Sequence, residues 1–317
     1  MKLKLLFFIV LFIKANLLFS QFTHPGIEFT IEDLEYMKSH KDIEPWKSAY
    51  GMLLADERAQ IDYEMKGPFN FVNREPHVNY HEFTKDNLAA FYQAILYYVT
   101  EEEQYAINAV EILDGWATTH NSWGRGTVSI QSFEMLYAAE ILRYTYPGWT
   151  AQNTANFENY ARNMLLAVTY YPYTAKAANQ GALQLNLIMR IAVFLNDEQM
   201  FEEAIDMFLN DPCAGISNTL PSGINGDTGR DQAHAWMIVN NLTEMAETAF
   251  HQGVDLYSTL DDRLYHMGEY WHKYNLGYDV VWEPYGTCYG YYHTIGEGAR
   301  GELNICLLYT SPSPRDA

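Results

Sequence analysis

Apolar residues return every three to four positions along most of this chain, and that period is the strongest constraint on its fold. In residues 85–100, Leu88, Phe91, Ala94, Ile95 and Tyr98 fall on one helical face. In 103–119, Ala106, Val110, Leu113 and Ala117 do the same. Similar segments span 30–39, 45–60, 129–144, 150–169, 179–195, 197–209, 228–252 and 260–274. Thr30 is placed to cap the first of them, Pro45 opens the next, and Pro147-Gly148 stops another. Period-two strand patterns are almost missing. Helices with one apolar stripe must bury it against each other. Successive helical hairpins therefore imply an all-α domain, either a stacked solenoid or a closed α/α toroid. No repeat of fixed length is present, which favours the toroid. In a toroid the long loops at 66–83, 121–127, 170–178, 212–229 and 277–293 gather at one end and form a cleft.

The two ends read differently. Lys2 and Lys4 precede an apolar run at 5–13 that is too short to span a bilayer, and Ser20 stands before Gln21. Residues 1–20 are therefore expected to be a cleaved secretory signal and the protein to be periplasmic or secreted. No cysteine follows the run to carry a lipid anchor, so no membrane attachment is expected after cleavage. Residues 306–316, Cys-Leu-Leu-Tyr-Thr-Ser-Pro-Ser-Pro-Arg-Asp, resemble a translated sequencing-library adapter. The expectation is that 21–305 form the toroid domain, that the domain continues beyond this sequence, and that 306–317 lie outside it.

Composition narrows the function. With 48% hydrophobic residues in 317, the chain can bury a large core. The formal charge of −20 excludes nucleic-acid binding through a basic surface. It also disfavours a polyanionic ligand unless the few cations are focused in one cleft. The 25 Tyr and 7 Trp suit sugar stacking as well as core filling. Outside the tail only Cys213 and Cys288 remain. They can pair in an oxidising compartment, but spacing does not decide it. No Cys/His spacing of metal-site type occurs, and no cofactor is expected.

Three polar stretches stand at loop–helix junctions. The first is Gly226-Asp227-Thr228-Gly229-Arg230-Asp231-Gln232-Ala233-His234, with Thr228 as N-cap and Asp231 in the capping-box position. Arg230 and His234, four apart, share a face near the helix start and suit a carboxylate ligand. The plainer alternative pairs Arg230 with Asp227 or Asp231 and buries His234. The second stretch is Asn179-Gln180-Gly181. The third is the run 285–293, where Tyr285, Tyr289, Tyr291 and Tyr292 are interleaved with glycines and followed by His293. Tyrosines packed so densely are poor core material, because each buried hydroxyl needs a partner. Arg74, His77, His81 and Arg125 are candidate substrate-binding residues or ordinary loop residues, and Trp123 is a candidate sugar-stacking ring. Tyr285, Tyr292 and His293 are further substrate-binding candidates.

The three stretches together resemble bacterial alginate-lyase-type proteins, and within them polysaccharide lyase family 38, which includes glucuronan and alginate lyases. The resemblance extends over 70–305, with weaker similarity at 108–116 and 138–149. It implies an α/α toroid and β-elimination at a uronic acid of an acidic polysaccharide. That chemistry requires a neutralised carboxylate, a base for the adjacent proton and an acid for the leaving oxygen. On the family pattern Asn179 and His234 hold neutralising positions and Tyr289 transfers protons. Tyr285, Tyr291 and Tyr292 are alternatives for that last role. Arg230 is added as a carboxylate partner and as a cation that would favour the Tyr289 phenolate. Glu283 departs from the pattern, standing where relatives carry a basic residue. Two other functions fit the same helices. One is a glycoside hydrolase using Asp227 with Asp231 or Glu283. The other is a glycan-binding protein without catalysis.

Overall fold

A computed structural model describes residues 22–124, 133–169 and 177–301. Its order is α1 Ile31–His40, α2 Trp46–Ala55, β1 Phe71–Val72, α3 Tyr80–Thr100, α4 Glu103–Thr119, β2 Ser122–Trp123, α5 Phe133–Thr145 and α6 Ala151–Tyr160. Then follow α7 Ala178–Phe194, α8 Glu198–Asn210, α9 Gln232–His251, α10 Thr259–Asn275, β3 Tyr285–Thr287 and β4 Gly290–Tyr292. The expected all-α toroid architecture is what the chain forms. An inner row, α3, α5, α7 and α9, packs side by side, and α4, α6, α8 and α10 back it from outside.

Sequence explains which helix goes where. Helix α7 is apolar nearly all round and buried along nearly all its length, as an inner helix must be. Helix α8 buries Met200, Phe201, Ala204 and Phe208 and leaves its acids in solvent, as an outer helix does. Thr30 caps α1 in a reciprocal capping box with Asp33, and Thr150 does the same for α6 with Asn153.

Several boundaries differ from the sequence reading. The segment 45–60 breaks at Asp56, which turns extended and caps a short 3-10 turn, Glu57–Ala59. Helix α3 begins at Tyr80, so His81 lies on its first turn and the preceding loop is shorter than expected. Helix α6 ends at Tyr160 and passes through a π turn, Ala161–Leu165, into a 3-10 turn, Leu166–Thr169. Asp231, not Thr228, caps α9. Thr228 is drawn away because its hydroxyl is used by Asn225 in the preceding turn.

Two short ribbons tie the loops together. β1 pairs in parallel with β2, joining the loop before α3 to the loop after α4. β3 and β4 form an antiparallel hairpin in the Tyr-rich run. Among the described residues no helix is long and apolar enough to cross a membrane. Residues 1–20, Arg125 and the tail from 306 lie outside the described residues.

Candidate active site

The site is organised by the start of α7. Its N-cap, Ala177, has no side chain to offer the exposed N–H groups of the first turn. Distant loops supply the acceptors. Ala178 N–H donates to the Cys213 carbonyl at 2.7 Å, and Asn179 N–H donates to Asp227 Oδ2 at 3.1 Å. An anion at a helix N-terminus is favourable because the helix dipole is positive there. Asp227 is fully buried, in a turn held by Asn225, whose side chain accepts from Asp227 N–H and donates to the Ala235 carbonyl. Burial pushes the Asp227 carboxyl above its usual range, against the Asn179 N–H and Arg230, which pull it down. Its Oδ1 has no hydrogen-bond partner. The Asn179 side chain is similarly uncommitted: Nδ2 reaches only Met237 Sδ at 3.7 Å, and Oδ1 is buried without a partner.

Arg230 and His234 meet as their spacing implies, and they engage each other. Arg230 Nη2 lies 2.9 Å from His234 Nε2. A guanidinium only donates, so Nε2 accepts and the ring proton sits on Nδ1. Nδ1 then donates to Asp231, with its oxygens at 2.7 and 2.8 Å. Asp231 also accepts from His234 N–H as the cap of α9. The guanidinium stands 3.8 Å from Asp227 and 3.6 Å from Asp231. The plainer reading of Arg230 as an ion-pair partner of Asp227 and Asp231 therefore holds. His234 is half-exposed rather than interior.

The Tyr-rich hairpin closes over this group. Tyr285 is buried and its hydroxyl donates to the Asn225 carbonyl. Tyr292 lies on Gly229; a Cβ there would come within 2.4 Å of the tyrosine ring, so only glycine permits the approach. At the tip, Tyr289 is 48% exposed and its hydroxyl donates to the Ala177 carbonyl at 2.9 Å. Cys288, next to it, is bonded to Cys213, so the pairing left open by the sequence is made. Arg230 does favour the Tyr289 phenolate, but it is outweighed. Burial and the Asp227 charge raise its pKa, and Arg230 offsets them only in part.

The remaining candidates stand on other segments or have partners of their own. His77 Nδ1 and His81 Nε2 are 2.9 Å apart, with Arg74 half-buried nearby in the chain. No hydrogen bond or ion pair among the described residues ties them to the Asp227 group. Trp123 donates from its indole to the Met164 carbonyl and packs edge-on to Phe83 and His120, which makes it part of a wall. His293 is exposed, and its carbonyl accepts from Trp282. Of the carboxylates proposed for hydrolysis, Asp227 is buried with one oxygen on the Asn179 N–H, Asp231 is engaged by His234, and Glu283 is exposed. Asp227 is the central residue that the sequence reading underweighted. Its signal was the Asn-Gly-Asp-Thr turn directly before the Arg/His helix start.

Helices in two rows with loop-borne polar groups at one helix terminus define an α/α toroid with its site at the loop end. The alginate lyase family model matches residues 34–277, and the chain belongs to that family. Among solved structures it is similar to an alginate lyase from Bacteroides ovatus, with TM-score 0.64 and 14% identity over 77% of this chain and 82% of that one. It is also similar to alginate lyase A1-III from Sphingomonas species A1, with TM-score 0.62 and 16% identity over 77% of each chain. A tyrosine-to-phenylalanine variant of A1-III complexed with tetrasaccharide aligns with TM-score 0.56 and 15% identity, again over 77% of each chain. Curated protein sequences contain no significant match.

Proposed function

We propose that this protein is an exported lyase that cleaves a β-linked polyuronate, glucuronan or the mannuronate blocks of alginate, by β-elimination, and that it is closest in kind to polysaccharide lyase family 38. The observation that carries the reading is the meeting of Asn179, Arg230 and Tyr289 around the buried Asp227 at the α7 N-terminus. The solved A1-III complexes with tetrasaccharide support an oligosaccharide ligand for this fold.

In this mechanism the Asn179 amide and Arg230 receive the substrate carboxylate, which acidifies the proton at carbon five. His234 holds Arg230 from behind, and Asp231 holds His234. Tyr289 faces the proton and the leaving oxygen, which lie on one side of a β-linked glucuronate or mannuronate ring. Its raised pKa suits the acid half of the reaction. The base half depends on Arg230, on the neutralised substrate and on loss of the Asp227 charge. The substrate must also displace the resting bond from Tyr289 to Ala177. The test is to incubate the protein with glucuronan, polymannuronate and polyguluronate and follow ultraviolet absorbance of the unsaturated product. New absorbance on a β-linked polymer is expected. Reducing ends appearing without absorbance would establish hydrolysis instead.

A further inference from the structure

The hairpin that carries Tyr289 is anchored unevenly. Its base is held by packing: Tyr285 sits with Ile224 and Tyr270 in a small apolar cluster, and Tyr292 lies on Gly229. Among the described residues its tip has no such packing. Gly286 and Gly290 flank the tip, and a Cβ built on Gly290 meets nothing within 4 Å, so the backbone stands clear of the body. Each strand has three residues, and a two-stranded ribbon of that size is marginal in water. Among the described residues two links hold the tip: the hydrogen bond from Tyr289 to Ala177 and the Cys213–Cys288 disulfide. The disulfide joins residues 75 apart in sequence. Cys213 is itself fixed to the α7 start, because its carbonyl accepts from Ala178 N–H at 2.7 Å and from Asn218 Nδ2 at 2.9 Å. Cys288 is exposed, so a reductant can reach the bond.

We propose that the Cys213–Cys288 disulfide is the positioning device for Tyr289, fastening the hairpin tip to the α7 N-terminus so that turnover depends on the oxidation state of this pair while the helical fold does not. The inference rests on the lyase reading above. An added dithiol supplies two electrons, breaks the Sγ–Sγ bond to leave two thiols, and closes to its own cyclic disulfide. The phenol then keeps one hydrogen bond to define its place. A displacement on the order of 1 Å at a catalytic group can lower turnover by about a hundredfold.

The experiment measures four things on the oxidised protein, the dithiol-reduced protein and the Cys213→Ser/Cys288→Ser variant. These are kcat and KM on the polyuronate that is turned over, helical circular dichroism, and amide hydrogen exchange across 285–292. Expected on reduction are faster exchange at the tip, a fall in kcat of at least about tenfold with little change in KM, and an unchanged helical signal. Reoxidation should restore kcat, and reduction should change little in a Tyr289→Phe background. Unchanged exchange, unchanged kcat, or loss of helix in step with activity would each overturn the proposal. If no polyuronate is cleaved even by the oxidised protein, the lyase reading fails, and the exchange measurement alone then decides whether the bond fixes the tip.

Discussion

Tyr289 and Asp227 form an opposed pair at the residue scale. Burial, then the Asp227 charge, raises the phenol, while Arg230 pulls it down. Replacing Asp227 by Asn keeps an acceptor for the Asn179 N–H and removes the charge. The Tyr289 pKa should therefore fall, and the limb of the kcat/KM profile that reports it should move to lower pH. An unmoved limb in Asp227→Asn would mean that the titrating group is not this tyrosine. Tyr289→Phe keeps the ring and removes only the hydroxyl. It should lower kcat by at least about a hundredfold, the low end for a lost acid–base group, with KM little changed. The exposed Tyr291→Phe should be near normal. The opposite result would transfer the proton to Tyr291.

At the scale of elements, the contact between the hairpin and the α9 loop depends on missing side chains. A Cβ on Gly229 would lie 2.4 Å from Tyr292 Cγ and 2.5 Å from its Cβ. Gly229→Ala must push the hairpin outward, at a cost of about 1–3 kcal/mol, typical of overpacking. Denaturant unfolding should show that loss, and amide exchange should place it in 285–292. A loss below about 0.5 kcal/mol, typical of surface sites, would mean that the two elements already separate freely. Helix α9 illustrates how local rules compete. Thr228 and Asp231 are both good capping residues, and the turn centred on Asn225 takes the threonine.

The whole molecule carries a set of partly buried acids around Arg190. Glu134 on α5 is pushed up to about 7 by burial, with Glu244 and Glu28 adding to the rise and Arg190 opposing it. Glu28 is raised too, again mainly by burial, although Arg190 Nη2 is 2.8 Å away. A carboxyl raised in the folded state contributes stability that is fully present below its unfolded pKa and is lost as pH rises through the folded value. Glu134 should therefore contribute stability that declines between about pH 4.5 and pH 7, by roughly 3 kcal/mol at 1.36 kcal/mol per pKa unit, while buried His120, lowered to about 4, contributes the opposite slope between about pH 4 and pH 6.5. Denaturant melts of the unmodified protein and of Glu134→Gln across that range should show the stability of the unmodified protein falling relative to the variant. A stability difference between the two proteins that stays constant from pH 4.5 to pH 7 would contradict the assignment.

The sequence alone determined the helices, because their signal is local: an apolar residue every three to four positions and a cap within three residues of the start. The helix at 103–119 was legible to the residue for that reason, and α1, α7 and α8 to within one position of either end. The Arg230–His234 contact was legible too, since four residues make one helical turn. The rest of the site depended on contacts that no local pattern encodes. Asn179 meets Asp227 across 48 residues, Tyr285 meets Asn225 across 60, Cys213 meets Cys288 across 75, and Tyr289 meets Ala177 across 112. Tertiary structure alone decided that Asp227 is buried, that the cysteines pair, and that the phenol is held above its ordinary pKa rather than below it. The physical reason is that burial and charge proximity are properties of a place in the fold, and several distant segments must come together before that place exists.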